Sequence, residues 1–183
     1  GPRAANQTVN VRGLEGNKVL QTVDGVRQGF ESGHRPSYFL DPELVRSVEV
    51  VRGPASSAWG SGAVGGVVAQ STITADDLVH KPGGLGGLLK GGYNGNNSGA
   101  TGTAALAGRS EQLGWLLSAY HRDSGDLEMG SGEELLGSGA ESRGAMGKLN
   151  WQISESQALA LTYRVSEWLG SVPTNGAADL NGT

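Results

Sequence analysis

The sequence predicts a small α+β domain followed by a series of antiparallel β-strands. Short β-branched runs in residues 8–78 are separated by glycine and proline turns, which is typical of short strands in a mixed fold. Later segments alternate polar and apolar residues with a period of two, which is the strand period. Glycine supplies 32 of the 183 residues against a usual share of about 7%, and aromatics only 5%. We therefore expect tight turns and close backbone packing rather than a large helical core.

Composition and charge exclude several classes of protein. The chain has no cysteine, which excludes a disulfide framework, a thiolate metal site and a cysteine nucleophile. The net charge is −4, whereas nonspecific nucleic-acid binding needs a basic excess, so we expect no nucleic-acid partner. The sequence shows no Ser/His/Asp spacing, phosphate loop or metal-ligand cluster, and we expect the protein not to be an enzyme.

The first half is predicted to contain short strands and two short helices. Asp24-Gly25 is a strong turn signal between two strands. Asp41 as N-cap, with Pro42 at the first helical position, predicts a helix over 42–47, and a second is expected over 55–59. The predicted strands cover residues 9–11, 19–23, 48–51 and 67–69.

The second half is predicted to contain five longer strands. Leu159, Leu161 and Tyr163 share one face of the segment 157–165, and the opposite face carries Arg164. Lys148 falls on the polar face of 143–153 in the same way. The other predicted strands cover residues 88–93, 100–108 and 113–122.

These strands fit two architectures. Tight polar turns at 109–112 and 154–156 and a long connection at 123–141 are the layout of an outer-membrane β-barrel, in which either cation would cost ~2–4 kcal/mol facing lipid at mid-depth. An antiparallel β-sandwich in water has the same alternation, and composition supports the two about equally. In a barrel we expect aromatic girdles near the strand ends, formed by Trp115, Tyr120, Trp151, Tyr163 and Trp168.

An ordered series of motifs resembles the plug domain of TonB-dependent outer-membrane receptors. It consists of VNVRG at 9–13, VDGV at 23–26, VEVVRGP at 48–54 and WGSGAVGGVV at 59–68. The resemblance favours the barrel over the sandwich. It implies an α+β plug domain over 1–80, followed over 81–183 by the first antiparallel strands of a transmembrane β-barrel of about 22 strands.

Other segments resemble the haem and haemoprotein receptors of that family, namely residues 14–20, 24–29, 32–34, 39–45 and 74–78. The resemblance implies that His34 lies at the extracellular apex of the plug and is an axial ligand of haem iron, with a second axial histidine beyond residue 183. Neutral imidazole is a good iron ligand. Arg35 and Tyr38 are candidates for contacts with the haem in the pocket.

The resemblance also implies ion pairs that hold the plug in place. In the family, plug arginines pair with glutamates on the inner barrel wall, and Arg12 and Arg52 are the candidates here. For Arg52, local pairing with Glu49 or with a backbone carbonyl is the alternative. Asp76 and Asp77 lack the spacing of a calcium loop, so we expect them to cap the end of the plug.

Together these features predict an outer-membrane receptor of a Gram-negative bacterium, in contact with outer-membrane lipid. It would bind haem, free or from haemoproteins, at the cell surface and import it with energy from the TonB–ExbB–ExbD complex. Haem is then the transported ligand, and we expect no cofactor. The alternative is a receptor of the same fold for a siderophore or another metal chelate. The chain begins Gly1-Pro2 without an initiating methionine, and we expect it to be a fragment.

Overall fold

A computed structural model describes residues 9–29, 31–32, 35–36 and 40–170, with only the backbone described for the two short ranges. These residues fall into two compact units that separate between Ile73 and Thr74. The predicted domain boundary at residue 80 stays a prediction. Among the described residues, no helix has the length and hydropathy needed to cross a membrane.

The first unit is built on a four-stranded mixed sheet. Its elements are β1 (Asn10–Val11), β2 (Leu14–Glu15), a 3₁₀-helix (Gly16–Lys18), β3 (Val19–Val23), β4 (Val26–Arg27), β5 (Glu31–Ser32), β6 (Arg35–Pro36), a second 3₁₀-helix (Pro42–Leu44), β7 (Val45–Arg52), α1 (Ser56–Trp59) and β8 (Gly66–Thr72). The strand order in the sheet is β4-β3-β8-β7. β3 and β8 run parallel, and the two outer pairs are antiparallel.

The core of the first unit lies on both faces of the two central strands. Leu20 of β3 and Val67 of β8 pack with Ala55 and Ala63 on one face. On the other face, buried valines of the same strands pack with a valine of β1. Strands that are buried on both faces read as apolar runs rather than alternating ones, as 67–69 does, whereas Gln21 and Thr22 interrupt the run in β3.

One predicted helix is shorter than expected. Residues 42–44 form a 3₁₀-helix, and Val45 already begins β7, so the helix predicted over 42–47 was wrong in its second half. The predicted cap is confirmed, because the Asp41 carboxylate accepts a hydrogen bond from the backbone N–H of Glu43 at 2.8 Å. β-Branched residues from Val45 onward pair with β8, and that pairing ends the helix.

The second unit is built on a five-stranded antiparallel sheet. Its elements are α2 (Ala75–Leu78), β9 (Gly84–Asn94), β10 (Gly99–Arg109), β11 (Leu113–Ser124), β12 (Leu127–Glu128), β13 (Glu134–Leu135), β14 (Ala140–Ser154) and β15 (Gln157–Leu169). The strand order is β9-β10-β11-β14-β15, so each long strand pairs with its neighbours in the chain. All five predicted strands are present, and they are 11 to 15 residues long. The long connection contains the small β12–β13 pair.

The two faces of this sheet differ in burial. One face is apolar and exposed, with 87% of Leu89 and 59% of Leu117 accessible. The opposite face is buried mainly on the three central strands and includes Lys148, which is 9% exposed. Arg164 lies on that buried face as well, because it pairs with Met146, two residues from Lys148. The predicted placement of both cations is confirmed.

The aromatic residues were predicted less well. Trp115, Trp151 and Tyr163 lie on the exposed face, as a girdle requires. Tyr120, however, is 6% exposed on the buried face, and Trp168 shares that face because it pairs with Ser142. The girdle prediction for these two residues relied on their closeness to strand ends. The face on which a side chain lies is set instead by the alternation of residues along the strand, which has a period of two.

Candidate functional site

The predicted ligand-binding segment lies around β5 and β6. These strands pair antiparallel, with Ser32 opposite Arg35. His34 and Tyr38 lie outside the described residues, and for Arg35 only the backbone is described. The roles predicted for these three residues therefore stay predictions. The structure does describe the scaffold on both sides of the segment.

The upstream side is fixed by the turn between β3 and β4. Asp24 and Gly25 have φ angles of 49° and 78°, and positive φ at both positions is what a type I′ hairpin turn requires. The carboxylate of Asp24 accepts hydrogen bonds from the backbone N–H of Thr72 at 2.8 Å and from its hydroxyl at 2.7 Å. The N–H of Asp24 donates to the carbonyl of Gln70 at 2.9 Å.

This role of Asp24 was missed by sequence reasoning, which recognised the Asp-Gly pair only as a turn. Thr72 lies 48 residues further along the chain and is 1% exposed. The carboxylate therefore joins the β3–β4 hairpin to the end of β8 through two donors that water cannot readily satisfy. No local pattern could have identified Thr72 as its partner.

The downstream side is fixed near the second 3₁₀-helix. Asp41 is fully buried and Leu44 is 1% exposed. The carbonyl of Leu44 accepts a hydrogen bond from the N–H of Ile73 at 2.9 Å. Hydrogen bonds thus fix the chain on both sides of the candidate segment, as is usual where a fold positions a binding loop.

The glycine-rich run before β8 has a structural role. Gly66 has a φ of 147°, and a Cβ at that position would collide with the carbonyl of Val51 on β7. A Cβ at Gly65 would lie 2.7 Å from the Cβ of Leu14. These glycines permit close backbone approach and a left-handed conformation, as predicted.

The two arginines predicted to lock the plug are both exposed. Arg12 precedes Gly13 in a tight turn and has a positive φ of 54°, and Arg52 ends β7. Within the described part of the chain, the ion pairs involve neither residue, so the local Arg52–Glu49 alternative is not formed. Their pairing with a barrel wall stays a prediction.

In the second unit, α2 is fastened to the long strands. Asp77 accepts hydrogen bonds from the N–H of Thr74 at 2.7 Å and from its hydroxyl at 3.0 Å, which forms a capping box at the start of α2. The expectation that both aspartates cap the end of the plug stays a prediction. Asp76 instead forms an ion pair with Nε of Arg109 at 3.0 Å. Gly114 leaves room for Ala75, since a Cβ there would lie 3.2 Å from that side chain.

The long connection between β11 and β14 is held by Asp126. Its carboxylate accepts hydrogen bonds from the N–H groups of Gly139 at 2.7 Å and Ser138 at 2.8 Å. The Ser138 hydroxyl in turn accepts the N–H of Leu127 at 2.8 Å. Because the N–H of Gly139, with further donors beside it, stabilises the charged form, the pKa of Asp126 is lowered from its usual value.

The remaining histidines show no metal chemistry. His80 is exposed. His121 lies on the exposed face of β11, with Nδ1 3.9 Å from a carboxylate oxygen of Glu141. Within the described ranges, no group of three His, Asp or Glu side chains is arranged to hold a metal ion.

Comparison with known sequences gives matches along nearly the whole chain. The family model of the TonB-dependent receptor plug domain matches residues 1–67. Heme/hemopexin utilization protein C of Haemophilus influenzae (strain 86-028NP) is 35% identical over 178 residues, which are 97% of this chain and 25% of that protein. The hemin receptor of Yersinia pestis is 39% identical over 168 residues, which are 88% of this chain and 24% of that receptor. The chain thus spans about a quarter of the length of the curated relatives it matches.

Solved structures show the same architecture. A double mutant of the Serratia marcescens hemophore receptor HasR, in complex with its hemophore HasA and heme, matches with a TM-score of 0.84 and 27% identity, over 92% of this chain and 26% of that one. The FrpB iron transporter of Neisseria meningitidis (F5-1 variant, apoprotein form) has a TM-score of 0.84 at 22% identity, over 97% of this chain and 29% of that one, a likeness that concerns the fold alone. The predicted fold class, a plug domain followed by antiparallel barrel strands, is confirmed, and the sandwich is excluded.

Proposed function

The chain belongs to the TonB-dependent receptors that carry a plug domain, and from this premise we propose that the whole protein is a haem receptor. It binds haem, free or from a haemoprotein, at the cell surface and imports it. The observation that carries the proposal is that relatives with heme or hemin in their names match 88% or more of the chain, among them a heme/hemopexin utilization protein at 35%, a hemin receptor at 39% and a TonB-dependent heme receptor at 34% identity.

The proposed iron ligand is His34, in the segment between two fixed parts of the first unit. Asp24 and Asp41 hold the scaffold before and after that segment. A neutral imidazole on such a segment coordinates iron without covalent chemistry. Coordination by two histidines from separate elements is reversible when one of them moves, which suits a ligand that is cargo. Arg35 and Tyr38 are proposed to contact the haem beside it.

The proposed location is the outer membrane of a Gram-negative bacterium. The exposed face of the five long strands supports it, because leucines on four of them lie open on one side, where a transmembrane barrel meets lipid. Energy for transport is proposed to come from the TonB–ExbB–ExbD complex. Arg12 and Arg52 are proposed to hold the plug through partners outside the described residues.

Replacing His34 tests the iron ligand in the full-length receptor. Hemin is titrated against the wild type, His34→Ala and His121→Ala, and both the affinity and the position of the Soret band are measured. We expect His34→Ala to lose at least tenfold in affinity and to shift the Soret band, because one axial ligand is removed.

His121→Ala is the matched control, since this exposed histidine lies on the lipid-facing side of β11, and we expect it to behave as the wild type. Unchanged affinity and Soret position in His34→Ala would remove the proposed ligand. A wild-type receptor that produces no Soret change with hemin, but binds a ferric siderophore, would favour the alternative ligand class.

A further inference from the structure

The chain that leads out of the first unit is held by a short helix on the long strands. We call residues 74–79, which contain α2, the α2 segment. Ala75 is 2% exposed and Val79 is 4% exposed, and the N–H of Val79 donates to the carbonyl of Ala75 at 2.8 Å. Asp76 pairs with Arg109 of β10 at 3.0 Å. Because a helix of one turn is not stable by itself in water, its order depends on the strands on which it lies.

Two glycines of the neighbouring strands form the seat of this segment. A Cβ at Gly86 of β9 would collide with the carbonyl of Leu78. A Cβ at Gly114 of β11 would lie 3.2 Å from the Cβ of Ala75. Together with the ion pair to β10, these approaches place the α2 segment against three adjacent strands. The absence of side chains at the two glycines is what lets it lie so close to the backbone.

The first unit holds the chain immediately before this segment. The N–H of Ile73 donates to the carbonyl of Leu44 at 2.9 Å, whereas the N–H of the next residue, Thr74, donates to Asp77 at 2.7 Å. The boundary between the two compact units falls between Ile73 and Thr74. Consecutive Cα atoms are only about 3.8 Å apart, so the chain has no slack at this point. Opening of the first unit therefore either ends at Thr74 or pulls the α2 segment from its seat.

The lengths of the strands favour the first of these outcomes. In the first unit, β3 has five residues and β4 has two. The strands that carry the seat are longer, since β9 and β10 have 11 residues each and β11 has 12. A unit with fewer paired residues opens at a lower free energy than one with long, continuous pairing. The α2 segment is thus attached to the unit that opens less readily.

We propose that the α2 segment is an anchor, which stays on the long strands while the first unit opens. This inference rests on the proposed function, since energised import requires the first unit to change its structure. The change includes β3 and β4 before the candidate ligand segment and β8 after it, and it ends at Thr74. The long strands hold the chain there against a pull on the first unit, and the first unit closes again from a fixed end.

Hydrogen exchange in the full-length receptor tests where the opening ends. Asp24→Ala loosens the first unit, and urea is added to this variant until the N–H of Ile73 exchanges tenfold faster than in the wild type. We expect exchange of the Val79 N–H to change less than twofold under the same conditions. Equal acceleration of the two amides overturns the anchor. If Asp24→Ala does not fold, the milder Asp24→Asn is measured in the same way.

Two replacements of glycine by alanine test the seat. Gly86→Ala introduces the Cβ that collides with the carbonyl of Leu78, and we expect exchange of the Val79 N–H to accelerate more than tenfold. Gly102→Ala on β10 is the matched control, because a Cβ there has nothing within 4 Å, and it should leave Val79 unchanged. Protection of Val79 in Gly86→Ala equal to that in the wild type would contradict the seat.

A disulfide tests whether the anchor stays in place during import. Ala75 and Gly114 are suited to replacement by cysteine, because the 3.2 Å between their Cβ positions is only slightly shorter than the usual distance of about 3.5–4.5 Å. We expect oxidised Ala75→Cys with Gly114→Cys to import hemin at a rate within twofold of the same variant after reduction. Loss of import that a reductant restores would mean that the α2 segment leaves its seat, and it overturns the anchor. The single variants control for the substitutions, and the heat-modifiable band in detergent checks folding.

The two kinds of experiment separate this inference from the proposed function. If the wild type imports no hemin but Val79 stays protected while Ile73 exchanges, the proposed function is wrong and the anchor stands. If hemin is imported but the two amides open together, the anchor is wrong and the proposed function stands.

Discussion

Replacing Asp24 with alanine removes a carboxylate that joins distant parts of the first unit. Two hydrogen bonds to Thr72 are lost, at 2.8 and 2.7 Å, and their donors belong to a residue that is 1% exposed. A hydrogen bond to a charged group contributes ~1.5–3 kcal/mol, and a buried donor without an acceptor carries a comparable penalty. Asp24 also holds a φ of 49°, which costs alanine about 1 kcal/mol more than aspartate.

We therefore expect Asp24→Ala to lower the free energy of opening of the first unit by about 3–5 kcal/mol, a large part of a domain's usual stability. Asp24→Asn keeps the turn conformation and one carbonyl acceptor, so we expect about half of that loss. Thr72→Val removes the hydroxyl but retains the backbone N–H. If the two residues act through each other, the double variant will cost less than the sum of the single variants.

The assay is native-state hydrogen exchange of amides in β3, β4 and β8 in the full-length receptor. Exchange there should accelerate, while the five long strands keep their protection. Hemin affinity should also fall although His34 is intact, because the scaffold before the candidate segment is loosened. A change below about 0.5 kcal/mol in Asp24→Ala would refute the reasoning, since such a value is ordinary for a surface substitution.

Two further predictions concern the second unit. Because the folded-state pKa of Asp126 is lowered, its stabilisation of the long connection is complete above about pH 4 and is lost as the pH falls through the lower folded-state pKa. The protection of the β12–β13 amides, measured as their exchange rate relative to an unstructured chain at the same pH, should therefore fall in acid. Asp126→Asn should show low protection at every pH. Protection in the wild type that does not change with pH would contradict this. Leu117→Arg places a charge on the exposed face and should cost ~2–4 kcal/mol at mid-depth, measured by urea unfolding in lipid. Leu117→Ala controls for lost size, and an equal effect of both would argue against a lipid-facing position.

The sequence was most informative where one physical rule acts alone. The alternation in 157–165 identified β15 and its faces because a strand with one buried face has no other period. The helix predicted over 42–47 is too long because Val45, a β-branched residue, pairs with Thr72 of β8 and so begins a strand. The sequence after the Asp41 cap does not reveal that pairing. The assignment of Tyr120 to an aromatic girdle is wrong for a similar reason. Tyr120 lies near the end of β11, but it is two residues from the buried Ser118 and therefore lies on the same buried face.

The candidate site could be predicted only in part. His34 was identified from the resemblance, because a histidine in a loop has no spacing that marks it as a ligand. The partnership of Asp24 with Thr72 depends on the parallel pairing of β3 and β8, which no local pattern encodes.

The experiment on His34 also tests whether this residue recognises the iron of haem or its carboxylates. Removing the imidazole should alter the Soret band of haem and of its dimethyl ester alike, because esterification leaves the iron unchanged. If His34→Ala affects only the charged ligand, the histidine acts as a cation rather than as an iron ligand.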